Sequence, residues 1–410
     1  MKILHIATSD SIGGAAIAAF RLNEAMNKAG VSSTMLVANK QTKSLSVINA
    51  FKGLSQICYY LYSGLLGHLI FKYLNPYYTF SAGYGYINIL KYKIVFESDI
   101  IYIHWINDGF LGIKSISKLL KTGKPIVMVM HDMWNITGGC HHSFECLQYT
   151  TTCNTCPIIQ NRKFSCIVKK IYNKKKKWKP YPNLMFMTPS SWLSDCVRRS
   201  GLFKEHNVTI IPNMIDTSKF KPCDKRFARK MLGLDLTKKI ILFGANGGNS
   251  NPYKGWNYLK ESLKHLELND VEILLFGSEI STNKQKELLF PIHTLGYLSD
   301  SYSLSLMYNA ADVYIQPSLA EVFGLTIAES MSCGTFVVGF DVGGIPDLIK
   351  HKRTGYLAAF MDSKDLARGI MWALDNTSKK NSNFLHNFIC SNFSYKEGVK
   401  KHINYCKEII

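Results

Sequence analysis

Two glutamates, Glu321 and Glu329, flank the predicted start of a helix in PSLAEVFGLTIAESMSCG, the segment from Pro317 to Gly334. The first amides of a helix have no partner within it, and with the helix dipole they favour a diphosphate. Because a carboxylate repels phosphate, the glutamates would bind hydroxyl groups on either side of it, those of a hexose and of a ribose. Acidic residues are also common at helix starts on ordinary surfaces, so the spacing alone fits a segment without a ligand equally well.

A lysine follows the strand predicted at KIILFGAN. Lys254 precedes Gly255 in GANGGNSNPYKGWNYL. An ammonium at this position can reach the β-phosphate of a bound diphosphate and neutralise the leaving group. The alternative is a solvated lysine that binds nothing.

Two histidines end predicted strands in the first half of the chain. His131 closes PIVMVMHD, and His104 lies in IYIHWIND. Ligands of open α/β sheets bind at the carboxyl ends of the strands, so both histidines are candidates for a site, although a lone histidine is often structural. Gly13 and Gly14 follow the first predicted strand, where a tight turn alone would explain them.

The elements that must position these residues alternate between strand and helix. The strands are apolar runs without alternation, which indicates parallel sheets covered on both faces. In the first half they are KILHIA, STMLVA, DIIYIHW, PIVMVMHD, LMFMTPS and VTIIPN, and in the second half KIILFGAN, VEILLFGS, HTLGYLS, DVYIQPS and TFVVGFD. The predicted helices include AAIAAFRLNEAMNKAG, GIKSISKLLKTG, SYSLSLMYNAA, FGLTIAESMSC and SKDLARGIMWALDN.

This pattern predicts an α/β protein of two doubly wound, Rossmann-like domains with a cleft between their strand ends. Turn residues and a proline mark the junction near residues 213–221. We therefore expect an acceptor-side domain over 1–213, with a cysteine-rich insert at 140–156, and a donor-binding domain over 214–390. Residues 391–410 are predicted as a helix that packs back on the first domain.

The cysteines indicate the compartment and a candidate metal site. The N-terminus, MKILHIATSD, lacks the pattern of a signal peptide, so we expect the eleven cysteines to be thiols in a reducing cytoplasm. Four of them follow the spacing C-x5-C-x6-C-x2-C, which ends in a pair typical of a zinc knuckle. They are Cys140, Cys146, Cys153 and Cys156. A structural zinc is predicted here, with His141 or His142 able to replace one ligand, and free thiols or disulfides are the alternatives.

Charge and aromatic residues indicate a partner surface. The 410 residues carry a formal charge of +20, which attracts phosphate groups, anionic lipid or nucleic acid. The acid-free run Arg162–Lys179 favours docking on an anionic membrane surface, with Tyr172 and Trp178 at the interface and the aromatic stretch Tyr59–Tyr84 beside them. The alternative is a solvated helix face. The apolar segment from Gln56 to Leu74 is too polar to span a bilayer and predicts an amphipathic or buried helix.

A longer segment carries a family resemblance. PSLAEVFGLTIAESMSCGTFVVGFDVGGIPDLI resembles the family 4 glycosyltransferases, whose hallmark is E-x7-E followed by a CG turn, a buried strand and a GG-x-P-[DE] loop. HDMWNITGGCHH and the cysteines after it resemble the branch of bacterial exopolysaccharide (colanic-acid-like) transferases. The resemblance implies the two-domain GT-B fold, a nucleoside diphosphate sugar as donor, retention at the anomeric carbon and no cofactor or metal for catalysis.

The same resemblance implies roles for the residues of the second half. Glu321 would contact the donor sugar and Glu329 the ribose. Lys254 matches the family's KG position, but the arginine that the family has in this region is missing between Phe243 and Lys254. The diphosphate would be held by the backbone of three residues, Phe323, Gly324 and Leu325.

In the first half, the resemblance makes Gly14 the place where the backbone reaches the donor. His131 matches a histidine near the donor hexose, where it would position the sugar rather than act as a nucleophile. His104 is a weaker candidate for a contact to the acceptor.

These observations predict a cytoplasmic retaining glycosyltransferase, peripherally bound to the inner face of the membrane. It would transfer a hexose to a polyprenyl-diphosphate-linked glycan in the biosynthesis of a cell-surface polysaccharide such as exopolysaccharide, capsule or O-antigen. We expect no nucleic acid partner. Two alternatives remain: a sugar-nucleotide epimerase with the GT-B fold, which would need further carboxylates, and a non-catalytic lipid- or nucleic-acid-binding protein that kept the fold.

Overall fold

A computed structural model describes residues 1–71, 78–159, 165–244, 251–277 and 288–410. The chain divides into two compact units. Unit 1 comprises residues 1–212 together with 399–410, and unit 2 comprises residues 213–398. Each unit is built around its own parallel sheet.

Unit 1 contains a seven-stranded sheet in the order β3-β2-β1-β4-β5-β6-β7, with every neighbouring pair parallel. The central strands β4 and β5 are fully buried apolar runs, as expected for strands covered on both faces, whereas β1 carries His5 among its apolar residues. The strands are β1 (Lys2–Ser9), β2 (Ser32–Asn39), β3 (Val47–Asn49), β4 (Ile100–Ile103), β5 (Ile126–Val129), β6 (Leu184–Thr188) and β7 (Val208–Ile210).

Six described helices connect these strands. They are α1 (Gly14–Lys28), α2 (Leu54–Phe71), α3 (Lys93–Glu97), α4 (Ile113–Leu120), α5 (Ser165–Lys176) and α6 (Ser191–Arg199). Local chemistry fixes several ends: Gly30 adopts a φ of 81° just beyond α1, and the Ser190 hydroxyl accepts a hydrogen bond from the Leu193 amide at the start of α6.

Unit 2 contains a six-stranded parallel sheet in the order β10-β9-β8-β11-β12-β13. The strands are β8 (Lys239–Gly244), β9 (Val271–Phe276), β10 (Ile292–Thr294), β11 (Val313–Gln316), β12 (Phe336–Phe340) and β13 (Gly355–Ala358). Asp312, just before β11, is buried and accepts bonds from Lys225, Arg229 and the Ile240 amide, which ties β8 and β11 to the helix at 225–231.

The helices of unit 2 begin with α7 (Lys225–Met231), α8 (Trp256–Leu263), α9 (Ser301–Ala310) and α10 (Leu325–Ser332). They continue with α11 (Ile345–Leu348), α12 (Ser363–Asp375) and α13 (Lys379–Phe393). The last helix, α14 (Tyr395–Ile409), carries the chain from unit 2 into unit 1. Its Cys406 contacts the hydroxyl of Tyr102 on β4.

The fold class predicted from the sequence is confirmed. Each of the eleven predicted strands has a counterpart in one of the two sheets. The short strands β3 and β13 were not predicted. None of the helices in the described ranges is long and apolar enough to cross a membrane. Of the apolar segment from Gln56 to Leu74, residues 56–71 belong to α2, and residues 72–74 lie outside the described residues.

Candidate functional site

The carboxyl end of β11 leads into the loop that holds Glu321. Gln316, the last residue of β11, is buried, and its amide nitrogen donates to Ser318 Oγ at 2.8 Å and to Glu321 Oε2 at 3.4 Å. The Tyr314 hydroxyl in turn donates to the amide oxygen of Gln316. The hydrogen bonds from Tyr314 to Gln316 and from Gln316 to Glu321 therefore orient the Glu321 carboxylate, while part of its surface stays accessible.

Lys254 forms an ion pair with the same carboxylate. Its Nζ lies 3.2 Å from Glu321 Oε2, and the two side chains are 25% and 19% exposed. Lys254 ends a short 3-10 turn, Pro252–Lys254, whose start is capped by the side chain of Asn251. A partly exposed cation thus lies beside a fixed carboxylate, with both within reach of a ligand.

Two backbones cross closely where this turn meets the end of β11. The Leu319 amide donates to the Tyr253 carbonyl at 2.7 Å. Gly255 has a φ of 69°, and a Cβ at this position would come within 1.8 Å of the Pro317 carbonyl oxygen. The glycine beside Lys254 is therefore required by the approach of the β11 loop.

The loop GGIPD lies under Glu321. The Gly344 amide donates to the Glu321 carbonyl at 2.9 Å. Gly343 has a φ of 59°, and a Cβ there would stand 2.0 Å from the same carbonyl oxygen. The spacing between the E-x7-E segment and the glycine pair thus reflects direct packing of one loop on the other.

Helix α10 begins at Leu325, between Glu321 and Glu329, as the sequence predicts. Gly324 caps it with a φ of 97°, and no acidic residue lies in the first turn. Phe323 is buried against Phe393, and Leu325 is the first helical residue. The first amides of an eight-residue helix have no partner within it, which suits an anion. The binding of a diphosphate by these three residues stays a prediction.

Glu329 differs from the surface carboxylate that its spacing also allowed. It lies within α10, is only 5% exposed, and accepts a hydrogen bond from the Tyr308 hydroxyl at 3.2 Å. Burial and the neighbouring carboxylate raise the pKa of Tyr308 well above its usual range, so this hydroxyl keeps its proton. The predicted contact of Glu329 with a ribose would have to use the remaining part of a largely enclosed carboxylate.

In unit 1, the two histidines predicted as site residues, His104 and His131, form a hydrogen-bonded series with His5. His131 Nε2 lies 3.0 Å from His104 Nδ1, and His104 Nε2 lies 2.9 Å from His5 Nδ1. The three rings come from the neighbouring strands β5, β4 and β1 or from the residues just after them. Burial lowers the pKa of His5 to about 3 and that of His131 to about 4, and it also lowers the pKa of His104 well below the usual range. All three rings are therefore neutral at pH 7.

His5, at the end of this hydrogen-bonded series of histidines, determines which ring nitrogens carry protons. His5 Nε2 is buried and has no hydrogen-bond partner among the described residues. A buried N–H without an acceptor is costlier than a lone pair without a donor, so the proton of His5 belongs on Nδ1, where it donates to His104. His104 Nδ1 then donates to His131 Nε2. His131 is left with an N–H at Nδ1, which suits the oxygen of a hydroxyl group.

A second polar network adjoins His131. His141 Nδ1 lies 2.5 Å from Asp132 Oδ2, and His141 Nε2 lies 2.9 Å from the Ser81 hydroxyl. Burial opposes ionisation of Asp132, but the charge and hydrogen bond of His141 outweigh it and hold the pKa of Asp132 below its usual value. His141 thus has a structural partner that the spacing of HDMWNITGGCHH did not reveal.

The glycine pair opens α1. Gly13 caps the helix with a φ of 85°, and Gly14 is its first residue. The Ile17 amide donates to the Gly13 carbonyl at 3.1 Å. The positive φ accounts for a glycine at position 13. The predicted approach of the backbone to a donor at Gly14 stays a prediction.

The four cysteines of the insert lie near one another. Electrostatic interactions connect Cys140 with each of the other three thiols, and burial raises its pKa to about 12. All four are free, and no group of three or more His, Cys, Asp or Glu side chains able to hold a metal occurs in the described part of the chain. The predicted zinc therefore has no ligand set in this arrangement, and zinc binding stays a prediction.

The basic run corrects one expectation. Tyr172 and Trp178 are buried, with the Tyr172 hydroxyl bonded to the Thr151 carbonyl and Trp178 Nε1 bonded to Ser117 Oγ, so neither lies at an interface. Lys175 is also fully buried. Its Nζ donates to the Trp134 and Thr137 carbonyls and lies 3.6 Å from the centre of the Trp134 ring, and burial lowers the pKa of Lys175 to about 7. Residues 162–164 of the run lie outside the described residues.

Sequence reasoning missed Gln316 and His5. Gln316 precedes Pro317 at the end of a predicted strand, a position that could have indicated it. His5 lies in the middle of β1, where only the neighbouring strands reveal its partners.

Comparison with known proteins finds a glycosyltransferase model over the region that contains Lys254 and Glu321. The family model described as "Glycosyl transferases group 1" matches residues 224–387, which contain Lys254, Glu321 and Glu329. A relative in Catenulispora acidiphila, D-inositol 3-phosphate glycosyltransferase 2, is 30% identical over 198 residues, which cover 44% of this chain and 45% of that protein. The chain thus aligns with less than half the length of this relative.

Solved structures resemble the whole chain. Sucrose-phosphate synthase from Thermosynechococcus elongatus aligns with a TM-score of 0.70 at 17% identity, over 100% of this chain and 99% of the other. HepE from Anabaena, in complex with UDP and glucose, aligns with a TM-score of 0.65 at 17% identity, over 99% of each chain. The fold is therefore that of the GT-B glycosyltransferase structures, two α/β units each with a parallel sheet.

Proposed function

We propose that the protein is a retaining glycosyltransferase that moves a hexose from a nucleoside diphosphate sugar to a glycan acceptor. The observation that supports it most is the Lys254–Glu321 pair at the N-terminus of α10, within the region that matches the glycosyltransferase model. The complexes of HepE with UDP and glucose and with UDP-glucose support a nucleotide sugar as donor.

Different groups of the site bind different parts of the donor. The amides at the start of α10 and the Lys254 ammonium stabilise the diphosphate as negative charge develops on it. Glu321 binds a sugar hydroxyl. The Gln316 side chain holds its carboxylate in place for this contact, and the Gly344 amide holds its backbone. Glu329 remains the candidate for the ribose, and His131 and Gly14 keep their predicted roles of positioning the hexose and of bringing backbone to the donor.

Transfer needs one bond to break and one to form. The bond between the anomeric carbon and the β-phosphate oxygen breaks, and the acceptor oxygen bonds to that carbon from the same face. The acceptor proton passes to the departing phosphate oxygen, so no protein nucleophile is needed. The remaining cationic contact that the family resemblance implies is not supplied by an arginine between Phe243 and Lys254.

The acceptor belongs to the same proposal. A polyprenyl-diphosphate-linked glycan, elongated during synthesis of a cell-surface polysaccharide, fits the basic charge of the chain and the resemblance of its HDMWNITGGCHH segment. His104 is the proposed acceptor contact, although its ring nitrogens both face other histidines.

The test is a transfer assay with defined donors. Purified protein is incubated with UDP-glucose or another nucleoside diphosphate sugar and with lipid-linked glycan, and the product linkage is read by NMR. The proposal expects release of nucleoside diphosphate and a new glycosidic bond with the anomeric configuration of the donor. An inverted linkage would contradict retention. An epimerised donor would indicate the epimerase, and donor left unconsumed at every acceptor would contradict a transferase.

A further inference from the structure

One face of α2 exposes a continuous apolar stripe. Leu54, Ile57, Leu61 and Leu65 are spaced by three or four residues, and each is between 56% and 75% exposed. At 100° per residue, these four side chains share one side of the helix. The opposite side packs into unit 1 through Tyr59, which is 1% exposed and stacks on Phe51. This stripe lies on a helix that contains no acidic residue and no lysine or arginine.

The neighbouring helix α5 exposes a basic face. Lys169, Lys170, Lys176 and Lys177 are exposed, and the first three lie on one side of the helix. The other side carries the buried residues Val168, Ile171 and Tyr172. This arrangement keeps the ammonium groups in water, so the basic run presents charge and not its aromatic rings.

Two tyrosines connect the helices. Tyr62 of α2 packs on the ring of Tyr86, with 5.6 Å between centroids. Burial, and to a lesser extent the neighbouring Tyr84, raises the pKa of Tyr62. Lys174 of α5 places its Nζ 5.2 Å from the centre of the Tyr84 ring. Tyr84 and Tyr86 are themselves exposed. Helices α2 and α5, which carry the apolar stripe and the basic face, are therefore linked through exposed aromatic rings within one unit.

The two segments that form this surface carry charge of a single sign. Asp108, which lies outside them, adjoins the packed side of α2, where its carbonyl accepts a hydrogen bond from the Tyr59 hydroxyl. Residues 25–96, which include α2 and both tyrosines, contain no Asp or Glu, and neither do residues 146–194, which include α5. An anionic partner thus meets no acidic side chain from either segment. A second copy of this chain, docked through the same surface by a twofold axis, would bring two basic faces together. Nucleic acid would leave the apolar stripe without a partner.

We infer that this surface, which we name the α2/α5 face, docks on an anionic lipid bilayer. The leucines of α2 enter the headgroup boundary, the tyrosines lie at headgroup level, and the lysines of α5 remain above with the lipid phosphates. The helix lies along the membrane and does not cross it. This inference is independent of the proposed function, because the α2/α5 face contains none of the residues assigned to the donor.

Vesicle flotation tests it without any sugar donor. The intact protein is mixed with vesicles of phosphatidylcholine alone or of phosphatidylcholine with phosphatidylglycerol, at low and high salt. We expect binding to the anionic vesicles only, and weaker binding at high salt. Lys170→Gln with Lys177→Gln should weaken binding roughly 25-fold, since each lysine near the surface contributes roughly fivefold. Leu61→Gln with Leu65→Gln should weaken it by at least about tenfold.

Matched variants in unit 2 serve as controls. Lys379→Gln with Lys380→Gln removes two exposed lysines, and Leu289→Gln removes an exposed leucine. These should bind like the unchanged protein. The inference is overturned if the unchanged protein ignores anionic vesicles, or if the control variants lose as much binding as the α2/α5 variants. A dimer that the leucine variant dissociates, or an oligonucleotide complex that the lysine variant abolishes, would also overturn it if vesicles are not bound.

Discussion

Lys254 Nζ lies 3.2 Å from Glu321 Oε2, although 67 residues separate them along the chain. The pair joins the turn before α8 to the loop after β11, and the close crossing at Gly255 holds the two segments together. A cation and a carboxylate that are partly exposed and mutually oriented can each exchange part of this contact for a ligand. The pair is therefore the centre of the proposed donor site.

Replacing Gly343 with alanine should distort this site. The added Cβ would meet the Glu321 carbonyl at 2.0 Å, and neither backbone can move far because Gly344 also bonds to that carbonyl. Gly296→Ala is the matched control, since Gly296 has a similar positive φ of 65° but open space around it. We expect Gly343→Ala to lose about 1–3 kcal/mol more unfolding free energy than Gly296→Ala, measured by urea denaturation. Equal losses would show that Glu321 is not braced by this loop.

The buried histidines of unit 1 predict a loss of stability in acid. His5, His131 and His402 have pKa values lowered to about 3, 4 and 3, while the unfolded value is near 6.5. The unfolded chain therefore binds protons that the folded chain does not, so stability is complete above pH 6.5 and falls as the pH drops towards 4. Each such histidine contributes a slope of about 1.4 kcal/mol per pH unit.

Urea denaturation from pH 7.5 down to about 4.5 measures this slope. His402→Gln should flatten the dependence, because it removes one of the groups that must stay neutral in the fold. His265→Gln, at an exposed position, should leave it unchanged. A stability that is constant over this range would mean that the histidines are not protected from protons in the folded state.

Lys175 and Lys176 provide a direct comparison between neighbours. Lys175 is buried and donates to the Trp134 and Thr137 carbonyls, whereas Lys176 is exposed. Lys175→Met leaves those buried carbonyls without this donor and should cost about 1–3 kcal/mol of unfolding free energy. Lys176→Met should change it by less than about 0.5 kcal/mol. If thermal unfolding found the two variants equally stable, Lys175 would have no role in holding the segment at 134–137.

Local sequence patterns predicted the parts of this molecule that depend on neighbours along the chain. The apolar strand runs, the helix start near Gly324 and the glycine pair at 343–344 are of this kind. The 3.2 Å contact of Lys254 with Glu321 was not predictable, because it depends on where two distant loops meet. His5 was missed for the same reason, since its partner lies on another strand.

The phase of α5 could have been inferred more accurately. Val168, Ile171 and Tyr172 recur at helical spacing, and Lys175 continues that buried side. This periodicity predicts that Tyr172 is buried in unit 1, whereas the basic charge of the run favours an exposed surface. The burial of Trp178, two residues beyond the helix, depends on its bond to Ser117 and was not visible in the spacing.

Donor binding tests the central claim most directly. Unfolding midpoints of the unchanged protein, Lys254→Ala, Glu321→Ala and a control are measured with a panel of nucleoside diphosphate sugars that includes UDP-glucose. The control is Lys264→Ala, which breaks an exposed ion pair with Glu261. We predict that one donor raises the midpoint of the unchanged protein and of the control, and that both site variants stay folded but lose most of this shift. No shift with any donor, or an undiminished shift in Lys254→Ala and Glu321→Ala, would contradict the assignment of this pair to the donor.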